Sequence, residues 1–419
     1  MARLQDTLMR QYLSEAKNTH MEHLEDLVFD NGYAGAESAL DYAEQVIGML
    51  SDGEGNVATV TTKWDGAPAI ICGIDPADGR FFVGTKAALS KEPKLAKNRS
   101  SLMKYYGEKD QDLIDKLELA LKVLPKLGIG GVLQGDFMFD RSTIDQIEID
   151  GEKFISFTPQ MITYAVKADS ALAKRILRAK MGIVFHTAYD GVDLPSMEAT
   201  FGVDVSGLNQ SKEVWFDDAT YKDLTGLASL TPDEHKKINN NIKAIRSTMS
   251  KIRADKFDVV IENREFAKFV KPFINQMVRD GKLVHNPIEF LKDFLDFYKG
   301  KMQIEIDDIA AKKDDPDHVT IRNRLAKIQK KEEFLEDHSN ALLGVLAVYK
   351  RIVEIKHLII GKLNQVEGLH TFIKDGDAYE VTNPEGFVAI GHHGNAVKLV
   401  DRIEFSSRNF NRVHNFGKK

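Results

Sequence analysis

Lys63, Trp64, Asp65 and Gly66 follow a β-patterned run, VATVTT, so a lysine, a carboxylate and a turn-forming glycine arrive together at the end of a strand. A strand-end lysine attacks an electrophile only when part of its amine is neutral, and partial burial or a nearby cation drives it that way. The same four residues also suit an exposed lysine paired with a carboxylate, since so short a pattern recurs by chance. Other chemistry-bearing side chains sit on similar short runs. Lys86 ends FVGTK, Asp136 lies in LQGDFM, Tyr164 in MITYAV, Glu385 opens EGFV and Lys398 is the centre of VKL. The histidines read as bland. His20 and His23 lack the HExxH spacing of a zinc site and read as a surface pair, GHHG at 391–394 reads as a hairpin turn, and His186 in GIVFHTAY reads as a core histidine. No GxxxxGK[ST] run is present, so a nucleotide would not be held by a P-loop.

The elements that must position these residues fall into four stretches. Residues 1–50 read as helical, with Leu4, Leu8 and Tyr12, then Leu40, Ala43, Val46 and Leu50, at helical spacing on either side of Asn31-Gly32. Residues 51–205 carry the β-like runs VATVTTKW, AIICGI, RFFVGT, GVLQGDFMF, KFISFTPQMITYAV and GIVFHTAY, with helical segments at 110–124 and 169–180. From 206 to 370 the pattern is mainly helical, opened by Thr231-Pro232-Asp233-Glu234 as a cap with proline at the first helical position and divided by a linker-like AAKKDDPDH at 310–318. Strand-like alternation returns over 371–419, in EGFVAI and AVKLV, before a basic, aromatic tail, SSRNFNRVHNFGKK. The fold class is therefore α+β, with a large helical insertion.

A chain of 419 residues favours two or three units, and 43% hydrophobic with 29% charged residues excludes wholesale disorder. The single cysteine, Cys72, excludes an intramolecular disulfide and a cysteine zinc site, and suits a reducing, cytoplasmic compartment. No run of about 18 apolar residues predicts a membrane-spanning helix, and the N-terminus lacks the apolar core of a secretory signal. The net charge of −6 gives no global reason for a polyanion partner. Residues 231–365 hold 26 Lys and Arg against 21 Asp and Glu, a net of +5, which leaves −11 on the rest. Any nucleic-acid surface is thus local.

The ordered runs resemble the motifs of the covalent nucleotidyltransferases, the superfamily of ATP-dependent DNA and RNA ligases and mRNA-capping guanylyltransferases. Lys63-Trp64-Asp65-Gly66 is similar to motif I, whose lysine takes the nucleotide as a phosphoramide. FVGTK matches the place of a strand ending in a basic residue, here Lys86. LQGDFM resembles motif III with Asp136 in place of glutamate. MITYAV resembles motif IIIa, whose aromatic, here Tyr164, stacks on the purine. EGFV resembles motif IV and VKL motif V, so the resemblance makes Glu385 a metal ligand with Asp136 and gives Lys398 the α-phosphate. It implies ATP and Mg²⁺ as cofactors, Lys63 and Lys398 as catalytic, and a nucleotide site of Thr61, Lys63, Trp64, Asp65, Gly66, Lys86, Asp136, Tyr164, Glu385 and Lys398. From the residues themselves, Asp65 suits positioning better than base chemistry, and Tyr164 equally suits a core strand.

The resemblance covers about 57–205 and 371–405, and the whole chain is similar to ligase-like proteins of large tailed bacteriophages. It implies an ATP-dependent polynucleotide ligase, monomeric, in a bacterial host cytoplasm, joining 3′-hydroxyl and 5′-phosphate ends of the kind met in DNA replication and repair. Nicked duplex DNA is the favoured substrate; RNA or an RNA/DNA hybrid fits an RNA ligase of the same superfamily. A nucleic-acid-binding protein that lost the chemistry is the competing reading, motivated by departures: Thr61 stands where the family often has glutamate, Pro68 where it has arginine, and Val400 where motif V has a second lysine. Arg402 or Arg99 would then reroute phosphate contacts. More than 200 residues separate Tyr164 from Glu385, and few follow Lys398, which leaves no room for the C-terminal OB-fold of DNA ligases. The inserted helices would instead clamp a duplex through Lys236, Lys237, Lys243, Arg246, Lys251 and Arg253, or else present an ordinary solvated face.

Overall fold

Apolar residues alternate along the early and late stretches and recur at helical spacing between them, and the chain divides accordingly into two units. The computed structural model describes residues 21–51, 59–107, 111–149, 151–220, 230–313, 318–364, 370–375, 378–381, 384–391 and 395–406. The first unit is drawn from Val57–Ala228 and Asn364–Val397, the second from Glu22–Asn56, Ser229–Leu363 and Lys398 onward. Both are discontinuous in sequence. The protein is mixed α and β, with largely antiparallel sheets.

The first unit holds fourteen described strands in three sheets: β1 (Thr59–Lys63), β2 (Ala69–Ile74), β3 (Phe81–Gly84), β4 (Val132–Asp140), β5 (Ile144–Ile149), β6 (Glu152–Phe157), β7 (Ile162–Lys167), β8 (Met181–Asp190), β9 (Glu198–Phe201), β10 (Val214–Asp218), β11 (His370–Asp375), β12 (Ala378–Val381), β13 (Gly386–Ile390) and β14 (Ala396–Leu399). The unit boundary falls inside β14, after Val397. The largest sheet runs β10-β8-β4-β2-β3, with β9 also on β8. Alternation sends Ile70, Cys72, Val83, Phe137 and Phe185 to one face, where Leu102, Ile114 and Leu117 of helices Arg99–Tyr106 and Gln111–Val123 cover them. Ile71, Phe82, Val132 and Tyr189 pack on the other face against Leu194 and Met197.

Two late strands close the other sheets. β13 pairs antiparallel with β1, setting Gly386 opposite Lys63. β11 pairs antiparallel with β7, setting Thr371 opposite Tyr164. The run KFISFTPQMITYAV, read as one element, is two strands, because Thr158–Met161 turn the chain so that β6 and β7 pair with each other. β10 pairs parallel with β8 and buries Val214 and Phe216 in the core, so 206–220 extends this unit and does not open the helical stretch.

In the second unit, helix Leu27–Ser51 joins the helices between Pro232 and Leu363, so residues 22–51 do not form a body of their own. The Asn31-Gly32 break survives as a kink: Gly32 has φ 56°, and a Cβ there would lie 2.2 Å from Asp258 Oδ1. The expected cap at Thr231 forms a capping box with Glu234, with Pro232 at the first helical position. Ile238, Ile242, Ile245 and Met249 are the buried stripe of helix Pro232–Ile252. The linker-like 310–318 joins helices Pro287–Lys313 and Val319–Asp337, and its centre, 314–317, lies outside the described residues, as do the expected turn at 392–394, the tail from 407 and the N-terminal positions Leu4, Leu8 and Tyr12. No described helix is long and apolar enough to cross a membrane.

Candidate functional site

β1 ends at Lys63, and the next five residues are fastened to two other strands. Ala67 N–H donates to Phe137 O at 2.9 Å, and Phe137 N–H donates to Pro68 O at 3.0 Å, tying the loop to β4. Asp65 ties it to β7: its carboxylate accepts from the N–H groups of Met161 (2.7 Å) and Ile162 (3.0 Å), while its own N–H donates to the Tyr164 hydroxyl at 2.7 Å. Gly66 is required by close approach, since a Cβ there would lie 2.6 Å from Asp136 Cβ and 2.9 Å from Met138 Sδ. These bonds leave Lys63 on a rigid loop with Asp65 as its positioning residue.

Lys63 Nζ forms an ion pair with Glu385, the residue just before β13. The two are brought together across 322 positions by the β1–β13 register. Burial pushes the Glu385 carboxyl above its ordinary range; Lys63 draws it back down, and the nearby Asp65 and Asp136 carboxylates push it up again. Three carboxylates and one amine thus share a poorly solvated space. Thr61 is buried within β1, and Trp64, beside Lys63, keeps its indole Nε1 buried with no partner among the described residues.

Tyr164 is 2% exposed, and its ring stacks on Trp64 (5.0 Å between centroids) and Phe157 (5.7 Å). Its ring is therefore core wall and not an open platform for a base. Lys86 is exposed and opens a 3₁₀ turn, Lys86–Leu89, capped by Thr85. Gly84, two residues earlier, pairs with Ile71, and Ala69 pairs with Asp136, so the register points the Lys86 end of β3 toward the Asp136 level of the sheet. Lys398 lies in the second unit, where its N–H donates to Glu22 O at 2.8 Å.

His186, a core histidine by its sequence, stands instead beside Asp136. Gln134 pairs with Thr187 and Gly135 with Phe185, which leaves His186 as the extra residue of a β-bulge. Its Nε2 lies 3.6 Å from Asp136 Oδ1, and Nδ1 shares a 2.7 Å hydrogen bond with Thr187 Oγ1. Nothing in GIVFHTAY signals a bulge; only the pairing with β4 creates it. His23, read as a surface histidine, has a buried Nδ1, and burial holds its pKa well below the usual value.

The substitutes expected for missing basic residues are engaged elsewhere. Arg99 pairs with Glu118, and Arg402 is buried in the second unit, donating to Asp26 (2.9 Å) and Asn275 (2.6 Å). Of the six expected phosphate contacts, Arg246 makes a two-pronged pair with Glu44 at 2.9 Å and Arg253 pairs with Asp255, so neither is free. Lys236, Lys237, Lys243 and Lys251 are exposed on helix Pro232–Ile252 and show no ion pair among the described residues. No group of three or more His, Cys, Asp or Glu side chains among the described residues is arranged to hold a metal ion.

Chemically, the site offers an amine on a fixed loop, a carboxylate in contact with it, and two further acids close by. The model of a family of unknown function (DUF6267) matches residues 18–414. No curated protein and no solved structure matches the chain.

Proposed function

The chain belongs to the DUF6267 family of unknown function, and from the geometry around its amine we propose that it is an ATP-dependent polynucleotide ligase working through Lys63. The carrying observation is the pairing of Lys63 with Glu385, 322 positions away, beside a loop locked by Asp65 and Gly66. In this reading Lys63 Nζ attacks the α-phosphorus of ATP; the N–P bond forms and pyrophosphate leaves. Glu385 accepts the amine's hydrogen bond and is the group in place to take its proton, and burial supports that role by raising its proton affinity. AMP then passes to a 5′-phosphate, and a 3′-hydroxyl displaces it to close the backbone. Nicked duplex DNA is the substrate we favour.

Asp136 and Glu385 suit Mg²⁺, which takes one or two carboxylates and fills its remaining positions with phosphate oxygens and water. Such an ion would neutralise charge on the phosphates. Asp136 lies close enough to Glu385 to raise its proton affinity, so the two would share an ion only while Glu385 is ionised. The buried, unpartnered Trp64 N–H is a donor that a bound ligand or water would satisfy. Tyr164 supports the loop from behind, through its hydroxyl, and His186 Nε2 faces Asp136 at 3.6 Å.

Incubation with ATP labelled in the α-phosphate and Mg²⁺ tests the proposal. Label should stay with denatured wild-type protein and be absent from Lys63→Ala; an unlabelled wild-type protein overturns the enzyme reading. Sealing of nicked duplexes with DNA or RNA on each side of the break then decides the strand preference.

A further inference from the structure

Helix Ala171–Arg178 and the segment before β10 bound a cavity of about 310 Å³ whose wall includes Arg175, Arg178, Gln210, Ser211, Lys212 and Trp215. Three of these are cations, and none of the three has an acidic partner among the described residues. The acid adjacent to Lys212, Glu213, is held by Lys126 and Lys180 and so does not neutralise them. The stretch 171–180, ALAKRILRAK, contains no Asp or Glu. The positive surface also runs past the cavity: Arg141 is fastened beside Arg178 by a 2.7 Å bond from its guanidinium to the Arg178 carbonyl, and Lys174 is exposed on the same helix.

The inner wall connects this cavity with the amine site. Trp215 is 2% exposed, lines the cavity, and meets Trp64 edge-on at 6.4 Å between centroids. Trp64 is the residue after Lys63. One indole therefore separates the cationic cavity from the reactive loop, and Phe139 and Phe157 brace it at 5.9 and 6.2 Å.

We propose that this cavity binds backbone phosphates of the polynucleotide strand brought to Lys63, an assignment that rests on the ligase reading. Arginine forks and a lysine supply charge, Gln210 and Ser211 supply hydrogen bonds, and the basic strip through Arg141 and Lys174 extends the site beyond what a single phosphate needs. The near-complete burial of Trp215 leaves no face for base stacking, so recognition is of the backbone and independent of sequence.

The test is binding of a fluorescent nicked duplex across a salt series by wild-type protein, by Arg175→Gln/Arg178→Gln/Lys212→Gln, and by Lys91→Gln/Lys104→Gln/Lys153→Gln as an equal charge change elsewhere on this unit. Thermal melting checks that each variant is folded. The first variant should bind at least about tenfold more weakly at moderate salt, and the slope of log affinity against log salt should flatten by about 2 to 3, the value for three lost phosphate contacts. The second should keep the wild-type slope. Equal slopes for wild type and the cavity variant overturn the proposal, as does a cavity that binds inorganic phosphate through these residues while duplex affinity ignores them. The two readings fail separately. A wild-type protein that never retains AMP, but whose duplex binding falls in the cavity variant, sinks the ligase and leaves the cavity; normal AMP retention with unchanged duplex binding does the reverse.

Discussion

Each unit contains a lysine–glutamate pair, and the two pairs differ in their access to water. Lys63 and Glu385 in the strand-rich unit keep 28% and 12% of their side-chain surface, whereas Lys356 and Glu25 in the helical unit keep 1% and 0%. The Lys356–Glu25 bond, 2.6 Å long, lies in a closed set with Asp26, Arg402 and Asn275, tying residues 25–26 to helix Ser339–Leu363 and to 402. Both side chains are closed to solvent, and separating them would leave Lys356 buried alone and Glu25 with only its 3.5 Å contact to Arg402. Lys63 can leave Glu385 for water or a ligand at modest cost. The same two side chains make a closed structural pin in one place and a partly open pair in the other; burial is what distinguishes them.

The contrast breaks most sharply under substitution. Lys356→Met should destabilise the helical unit by about 3 kcal/mol, because Glu25 stays fully buried with only the longer, 3.5 Å contact to Arg402, which Asp26 already shares. Lys63→Met should cost less, about 1–2 kcal/mol, because Lys63 keeps contact with water although Glu385 is largely buried. Urea unfolding of the full chain, followed by helical circular dichroism, measures both; equal losses would erase the distinction. Gly66→Ala comes next. The added methyl meets Asp136 and Met138, so about 1–3 kcal/mol of stability should go, with Lys63 displaced as well. An unchanged melting temperature would count against that packing.

The last effect concerns acid. Burial pushes the Glu25 carboxyl up, but Lys356, His23 and Arg402 together pull it down to about 2. Its contribution to stability is therefore present above about pH 4.5 and is lost as pH falls toward 2. Asp26 goes the other way: burial raises it to about 6 against the pull of Arg402, so its contribution is full below about pH 4 and fades as pH rises through 6. Melting temperature against pH should crest between these limits, and Asp26→Asn should flatten the upper limb alone. A variant that retains that limb would assign it to another group.

Much of the chain's organisation was legible in its residues. The short apolar run AIICGI marked β2 residue for residue, the TPDE cap placed the start of helix Pro232–Ile252, and KWDG, at a strand end, marked the site loop. These are local consequences of side-chain period, capping and turn chemistry, which the chain carries wherever it folds. What KFISFTPQMITYAV hid was its turn, because apolar residues run through both strands and only cross-strand pairing separates them. His186 became a site residue through a bulge, which exists only in the register between β4 and β8. Arg246 looked free until helix Leu27–Ser51 supplied Glu44, and Arg402 looked available until Asp26 and Asn275 enclosed it. Sequence alone determined which residue types could do chemistry and which elements carry them. Tertiary structure decided which charges meet, and how much water they keep, because contact across 322 positions and burial are properties of packing and not of neighbours in the chain.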